Sequence, residues 1–402
     1  MLPYRLIQKA AERLDMRVRH TELISSHFFS EQLGLPVFFK CENLQRTGSF
    51  KIRGALNFII SQPRKNLARG VITASAGNHG QGVAFAASQL KVPSIVFMPE
   101  NTPLQKYHAV RDYGAQIVLT GRNFDEAYAG ALVRQRETDS LFIHPFEDPL
   151  VMAGQGTIGL EILAEIPDLS TIIVPIGGGG LISGIATAIK QTHPKVKVIG
   201  VETAAAPAMY YSLIKGHIME TPLAFSLADG IAVKKPGETT FRIIREQVDE
   251  VVLVEEEEIA QTIVLLLERS KLLVEGAGAV SLAALLHGKT EFPQGKTVCL
   301  LSGGNIDVRT IAIVVERGLV AGGRFLKLKV ALDDIPGSLA RLSAEIATVQ
   351  ANIYYITHDR RCISLPLGES EVILELETRG FEHIKTILRH LKGKGYEVTV
   401  LK

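Results

Sequence analysis

The sequence predicts an α/β protein built on buried parallel sheets, followed by a smaller α+β module. Three observations carry this prediction. Short apolar runs rich in β-branched residues alternate with helical patterns up to about residue 320, as strands covered by helices on both faces do. A glycine-rich stretch, ERGLVAGGRF (316–325), interrupts that rhythm. Beyond it the strands alternate apolar with polar residues, the pattern of a sheet with one wet face.

Taken in order, MLPYRLIQKAAERLDMRVRH (1–20) is a charged amphipathic helix without the apolar core of a signal peptide. Buried strands are expected at PVFFK (36–40), GVITA (70–74), SIVFM (94–98), QIVLT (116–120), TIIVPI (171–176), VKVIGVE (196–202) and TVCLLS (297–302). The run LSTIIVPIGGGGLISGIATAI (169–189) is uncharged and long enough to cross a bilayer. Pro175 and four consecutive glycines in its middle make strand, turn and helix the better reading. EEEE (255–258) reads as a helix start whose acids favour the positive end of the helix dipole. After the boundary, FLKLKVAL, GSLARLSAEIATVQA, NIYYITHD, EVILELET, FEHIKTILRHLKGKG and YEVTVLK give the order βαββαβ. The open face or edge of that sheet is expected to find a partner.

A chain of 402 residues, 46% apolar and 21% charged, can bury a large core in two or three domains. Its net charge of +2 provides neither steering toward nucleic acid nor a polybasic membrane patch. Cys41, Cys299 and Cys362 match neither a metal-ligand spacing nor a disulfide framework, so a reducing cytoplasm is expected.

Three loops hold residues suited to chemistry. In the first, a strand runs through Gly177, Gly178, Gly179 and Gly180 into a helix. Glycines admit a ligand close to the backbone, and the unpaired amides of the helix start favour an anion, phosphate foremost. A dinucleotide site is the rival, with Glu202 ending the next strand, but the third fingerprint position falls on Ser183 or Ile182. A tight packing turn is the plainer alternative. In the second loop, ASAGNHGQG (74–82), Ser75, Gly77 and Asn78 are suited to a carboxylate or a ring oxygen. His79 there reads as a general base or as a capping or packing residue. In the third, CLLSGGNID (299–307), Ser302 stands where a buried strand opens.

A phosphate cup, a carboxylate grip and a neutral serine need something to hold. RTGSFKIRGA (46–55) sets Lys51 after Phe50 in an apolar context, where an amine loses enough basicity to form a Schiff base. The cofactor with a phosphate, a ring and an aldehyde for a lysine is pyridoxal 5′-phosphate. Glu275 in VEGAGAV lies beside an apolar run. It either faces the cofactor or, the preferred reading, is a satisfied structural carboxylate.

With KCENLQRTGSFKIRGA, SAGNHGQG, PIGGGGL and SGGN in this order, the chain resembles the fold-type-II pyridoxal-phosphate enzymes, specifically the threonine (serine) dehydratases. The resemblance runs from about residue 5 to 320. It implies a catalytic domain over 1–320 with two open parallel-sheet subdomains, the smaller (about 40–145) inserted in the larger. It implies that Lys51 carries the cofactor and removes the Cα proton, with Phe50 packed beside the ring. Asn78 would meet the phenolic oxygen, and Ser75, Gly77, Asn78 and His79 the substrate, with Ser75 beside Lys51 in the chemistry. Gly177, Gly178, Gly179, Gly180 and Leu181 would take the phosphate, and Ser302 the pyridine nitrogen. A serine there does not force protonation of the ring, which favours elimination over transamination.

The activity implied is conversion of L-threonine to 2-oxobutanoate and ammonia, with L-serine as a further substrate. A serine dehydratase or racemase-like enzyme, a β-replacement synthase relative and a non-enzymatic amino-acid sensor are the alternatives. The related racemases carry a second serine where this chain has Ala76, which favours the dehydratase. Glu202 and Ala206 align with the racemases' divalent-metal site, but Ala208 replaces its aspartate; the alternative for Glu202 is a strand-end carboxylate in a salt bridge. The segment 324–402 resembles an ACT domain on DDIPGSLARL (333–342), with Asp334, Pro336, Gly337 and Leu339 in the expected places. That implies an amino-acid effector, isoleucine expected, held around Ile335, Pro336 and Gly337. It also implies a homo-oligomer, a dimer or tetramer, with no nucleic-acid or membrane partner.

Overall fold

The structure is a computed structural model that describes residues 1–222, 224–291, 295–361 and 366–401; Cys362 lies outside them. The chain divides into two compact units, Met1–Ile311 and Ala312–Lys402.

The first unit opens with α1 (Tyr4–Leu14), which buries Ile7, Ala10 and Leu14 on one face, as its charge pattern requires. Next come β1 (Leu23–Ser25), α2 (His27–Leu33), β2 (Val37–Cys41), α3 (Lys51–Ile60) and α4 (Arg64–Leu67). Strands and helices then alternate through β3 (Val71–Ala74), α5 (Asn78–Gln89), β4 (Ser94–Met98), α6 (Leu104–Asp112), β5 (Gln116–Leu119), α7 (Phe124–Thr138) and β6 (Leu141–Phe142). These four strands form a parallel sheet of order β5-β4-β3-β6.

The chain continues through α8 (Pro149–Glu165), β7 (Thr171–Pro175), α9 (Gly180–Thr192), β8 (Lys197–Thr203), α10 (Ala208–Lys215) and α11 (Glu238–Gln247). β9 (Glu250–Val254), α12 (Glu256–Leu265), α13 (Gly276–Leu286) and β10 (Thr297–Leu301) follow. The second sheet has six strands in the order β1-β2-β10-β7-β8-β9. All its pairs are parallel except β1 with β2. β3, β7 and β10 are buried at every residue, which is why their sequences run apolar without alternation. EEEE does start a helix: Glu255 caps α12 and Glu258 bonds back to it in a capping box. The run 169–189 folds as strand, turn and helix. Among the described residues no helix is long and apolar enough to cross a membrane.

α3 is locked in place by buried charge. Arg53, fully buried, makes two bonds to Glu42 (2.8 Å each) and two to Glu161 (2.5 and 3.0 Å). Lys40, also fully buried, reaches Glu161 at 2.8 Å and the Thr21 carbonyl at 2.7 Å. Two cations thus share the carboxylates of β2's end and α8, two residues from Lys51.

The division between the units falls inside α14 (Val308–Ala321), ahead of the glycine-rich stretch. The second unit continues with β11 (Phe325–Asp333), α15 (Ser338–Thr348), β12 (Asn352–Asp359), β13 (Glu369–Glu377), α16 (Phe381–Gly393) and β14 (Val398–Val400). Its antiparallel sheet has the order β12-β13-β11-β14. Alternate residues Leu326, Leu328, Val330 and Leu332 pack with Leu342, Ile346, Ile387 and Leu391 into one core. β12 is an edge strand and exposed along most of its length.

Candidate active site

In the first unit a cavity of about 600 Å³ opens where β3, β7 and β10 end, the place where α/β sheets bind ligands. Lys51, the first residue of α3, lines it. Its Nζ donates to the Pro145 carbonyl at 3.0 Å and lies 5.2 Å from the centre of the Phe50 ring. Burial pushes the amine down to about 8, against an opposing pull from Glu275. At pH 7 about a tenth of it is then neutral, compared with well under a thousandth for an ordinary lysine.

The glycine run forms the opposite support. β7 ends at Pro175, Gly179 adopts φ +91°, and α9 begins at Gly180, so the first amides of α9 have no partner inside the helix. A side chain at Gly178 would come 2.3 Å from the Phe146 ring, and one at Gly180 would come 2.5 Å from the Phe146 carbonyl. Thr240 fixes the turn by donating to the Gly178 carbonyl at 2.7 Å. Only glycine fits this turn, whose helix-start amides are suited to an anion, and Leu181 lines the same cavity.

In the second loop the Ser75 amide donates to Phe97 O at 3.0 Å, and the Gly77 amide to Ser75 Oγ at 3.1 Å. A side chain at Gly77 would meet nothing within 4 Å, so the loop faces open cavity. Asn78 begins α5 and donates to Glu275 Oε1 at 2.7 Å, while its carbonyl accepts from Asn305 at 2.7 Å. His79 is buried with Nε2 on the Ile143 carbonyl at 3.0 Å. Burial first, and Lys51 second, push it down to about 3, which makes it a poor proton acceptor. Ser302, at the end of β10, donates to the Ala277 carbonyl at 3.2 Å.

The donor set fits pyridoxal 5′-phosphate: an amine of lowered basicity for the aldehyde, a glycine-walled helix start for the phosphate, and a neutral hydroxyl at a strand end. Two buried polar atoms of the cavity wall, Gln155 Nε2 and His79 Nδ1, have no protein partner, as expected of a wall built to face a polar ligand. At the mouth, Lys106 pairs with Asp229 at 2.6 Å and Lys234 with Asp125 at 2.7 Å. Both pairs join the segment of the four-stranded sheet to residues 229–234.

Three expectations need correction or addition. Glu275, read as a satisfied structural carboxylate, is satisfied by Asn78 but also belongs to the cavity wall, because it precedes α13 and so shares the strand-end face with Ser302. Glu202 has backbone amides rather than a cation as partners, Met209 at 3.0 Å and Tyr210 at 2.7 Å. Burial raises it to about 8. Among the described residues no group of three or more His, Cys, Asp or Glu is arranged to hold a metal, and the Ala206 amide donates to the Thr203 carbonyl at 3.0 Å. Sequence reasoning passed over the Pro145 carbonyl and Gln155, which no motif flags. In the second unit, Ile335 is exposed and Gly337, with φ +90°, precedes α15 next to Pro336.

Over residues 14–303 the chain matches the family of pyridoxal-phosphate dependent enzymes. It is 71% identical, over the whole of both chains, to the L-threonine ammonia-lyase of Geobacter sulfurreducens. The structure of the processed form of threonine deaminase isoform 2 from Solanum lycopersicum is similar at 38% identity with a TM-score of 0.74. That match covers 78% of this chain and 92% of that one. Maize serine racemase is similar at 34% identity with a TM-score of 0.75, covering 79% of this chain and 98% of that one. The chain belongs to the fold-type-II pyridoxal-phosphate dependent enzymes.

Proposed function

We propose that this enzyme is a threonine ammonia-lyase that converts L-threonine to 2-oxobutanoate and ammonia and also accepts L-serine. One observation carries the chemistry: the Lys51 amine, with lowered basicity, shares a cavity with the glycine cradle and Ser302. The substrate follows from the full-length relative, whose name is L-threonine ammonia-lyase.

When bound, pyridoxal 5′-phosphate supplies the electron sink that makes the Cα proton of an amino acid removable. The glycine run and Leu181 would hold its phosphate, Phe50 its ring face, Asn78 its phenolic oxygen and Ser302 its ring nitrogen. Ser75, Gly77 and Asn78 grip the substrate carboxylate at the start of α5, with His79 buried behind them as a neutral packing residue. Lys51, as a free amine of lowered basicity, would take the Cα proton. The β-hydroxyl leaves with a proton as water, that proton balancing the one taken from Cα, and a water molecule then hydrolyses the enamine product to 2-oxobutanoate and ammonia. Ala76 offers no acid or base on the opposite face, so the proton chemistry is one-sided.

A racemase reading has the maize serine racemase likeness behind it, and Ala76 against it. Assaying 2-oxo acid release from L-threonine, L-serine and L-serine with a thiol, together with D-serine formation, separates lyase, synthase and racemase. Turnover retained in Lys51→Ala, or D-serine as the main product, overturns the assignment.

The second unit is the proposed regulatory part. Its elements follow the order βαββαβ, which supports an ACT-like module over 324–402, and the Ile335–Pro336–Gly337 turn is proposed to hold isoleucine. A cytoplasmic homo-oligomer is proposed with it. Isoleucine that binds saturably must shift threonine's affinity by the factor that threonine shifts isoleucine's; absence of saturable binding removes the effector.

A further inference from the structure

Asn78 is held at both ends of its amide. Asn305 Nδ2 donates to Asn78 Oδ1 at 2.7 Å and to the Thr47 carbonyl at 2.8 Å. Asn78 Nδ2 donates to Glu275 Oε1 at 2.7 Å. This chain of bonds has a direction, because a backbone carbonyl can only accept. Thr47 therefore turns the amino group of Asn305 inward, Asn305 takes the carbonyl of Asn78, and the amino group of Asn78 goes to Glu275. Reversing Asn78 would set two amino groups against each other and, with Glu275 ionised, a carbonyl against a carboxylate, losing both bonds. An amide nitrogen has two hydrogens; Glu275 takes one, and the other is left for the cavity that Asn78 lines.

We propose that Glu275 is a positioning residue that acts through Asn78, fixing its amide so that a donor N–H, and not the carbonyl, meets the anionic oxygen of the bound cofactor. The proposal rests on the reading that Asn78 faces that cofactor. The fold takes trouble to bring Glu275 there. It lies 197 positions from Asn78 in the chain, beyond a π-helical turn (Leu266–Ser270) that ends in left-handed Lys271. π-turns of this kind gather at functional sites. Asn43 holds the connecting segment by donating to the Leu273 carbonyl at 3.1 Å. The Glu275 amide is tied to Gly303 O at 3.0 Å. A side chain at Gly303 would come 2.3 Å from Glu275 Oε1 and 3.3 Å from Asn78 Nδ2, so this meeting of residues requires a glycine there.

The charged groups facing Glu275 are Asp229, Lys106 and Lys51. Burial and then Asp229 push its carboxyl up to about 7, while the Asn78 bond and the two lysines pull it down. The carboxyl keeps an acceptor oxygen in either protonation state, but the bond to Asn78 is stronger when it is charged.

The test titrates pyridoxal 5′-phosphate into the cofactor-free protein and reads visible absorbance and retained cofactor, without turnover. Asn78→Ala should weaken retention about tenfold, the worth of one good bond to a charged oxygen, and shift the absorbance. Glu275→Ala should reproduce both effects, as should Asn305→Ala, which frees the other end and decides the matter where Glu275→Ala does not fold. Glu275→Gln keeps an acceptor. It should stay within about threefold of wild type. An unaltered Asn78→Ala overturns the reading of Asn78 itself. An altered Asn78→Ala with unaltered Glu275→Ala and Asn305→Ala overturns the positioning role. Glu275→Gln as damaged as Glu275→Ala overturns the acceptor argument.

Discussion

Replacing Arg53 by methionine should destabilise the first unit strongly without touching the cavity wall. The guanidinium is fully buried between Glu42, also fully buried, and Glu161. Its loss leaves Glu161 with Lys40 at 2.8 Å but Glu42 with only the Thr21 hydroxyl at 2.5 Å and a distant Gln45 amide at 3.5 Å. A buried ion deprived of its partner costs about 3–5 kcal/mol. For a unit spanning Met1–Ile311, an unfolding entropy of roughly 2.1 cal/mol/K per residue converts that to a fall of about 5–8 °C in the melting midpoint. The pH dependence has a definite sign. Burial pushes the Glu161 carboxyl up, but Arg53 and Lys40 more than offset it and hold it below the usual carboxylate range. A depressed carboxylate stabilises the fold above its unfolded value, and that contribution fades as pH falls through the folded value. The gap between wild type and Arg53→Met should therefore be full at pH 7 and shrink below about pH 4. Adding Glu42→Gln restores the charge balance, since Lys40 and Glu161 remain paired, and should recover most of the loss. Calorimetry of the three proteins at both pH values checks this. A midpoint unchanged in Arg53→Met, or no recovery in the double variant, refutes the argument.

Other outcomes follow from the same geometry. Uptake of pyridoxal 5′-phosphate by the cofactor-free protein should accelerate with pH around a midpoint of about 8, the value to which burial lowers Lys51; stopped-flow absorbance showing a midpoint near the ordinary lysine range would contradict it. Gly178→Ala puts a methyl 2.3 Å from the Phe146 ring, so it should lower stability by about 1–3 kcal/mol and weaken cofactor binding about tenfold or more, both read by titration of the variant. Cys41 and Cys299 are fully buried, and burial pushes Cys41 up to about 12 and Cys299 further. Iodoacetamide should leave both unmodified in the native protein and label both after unfolding, as mass spectrometry of the two peptides would show.

Much of this was legible from residue types alone, for physical reasons. β3, β7 and β10 announce themselves because both their faces are covered, and four consecutive glycines announce a backbone that something must approach. β1 and β6, with three and two residues, are too short to show a period. β9 was hidden because its EVVLV runs directly into the acidic cap of α12. The antiparallel pairing of β1 at the sheet edge leaves no mark in three residues. Within the site, Lys51 and the glycine run sit in contiguous motifs. Glu275 reaches Asn78 only through the fold, and the Pro145 carbonyl that receives Lys51 has no side-chain signature at all. Local chemistry was readable; chemistry assembled across the sheets was not.

Lys51 is the first residue of α3, and that placement sets function against folding. A helix start disfavours a positive charge by about 0.3–1 kcal/mol, and the burial that lowers the amine's basicity adds to the strain. A protein selected for stability alone would put an apolar residue there. Lys51→Met should accordingly raise the melting point of the cofactor-free protein while ending its chemistry. The enzyme thus carries a standing instability at its most needed residue, relieved when the nitrogen gives up its charge, so cofactor loading and tightening of α3 are one equilibrium.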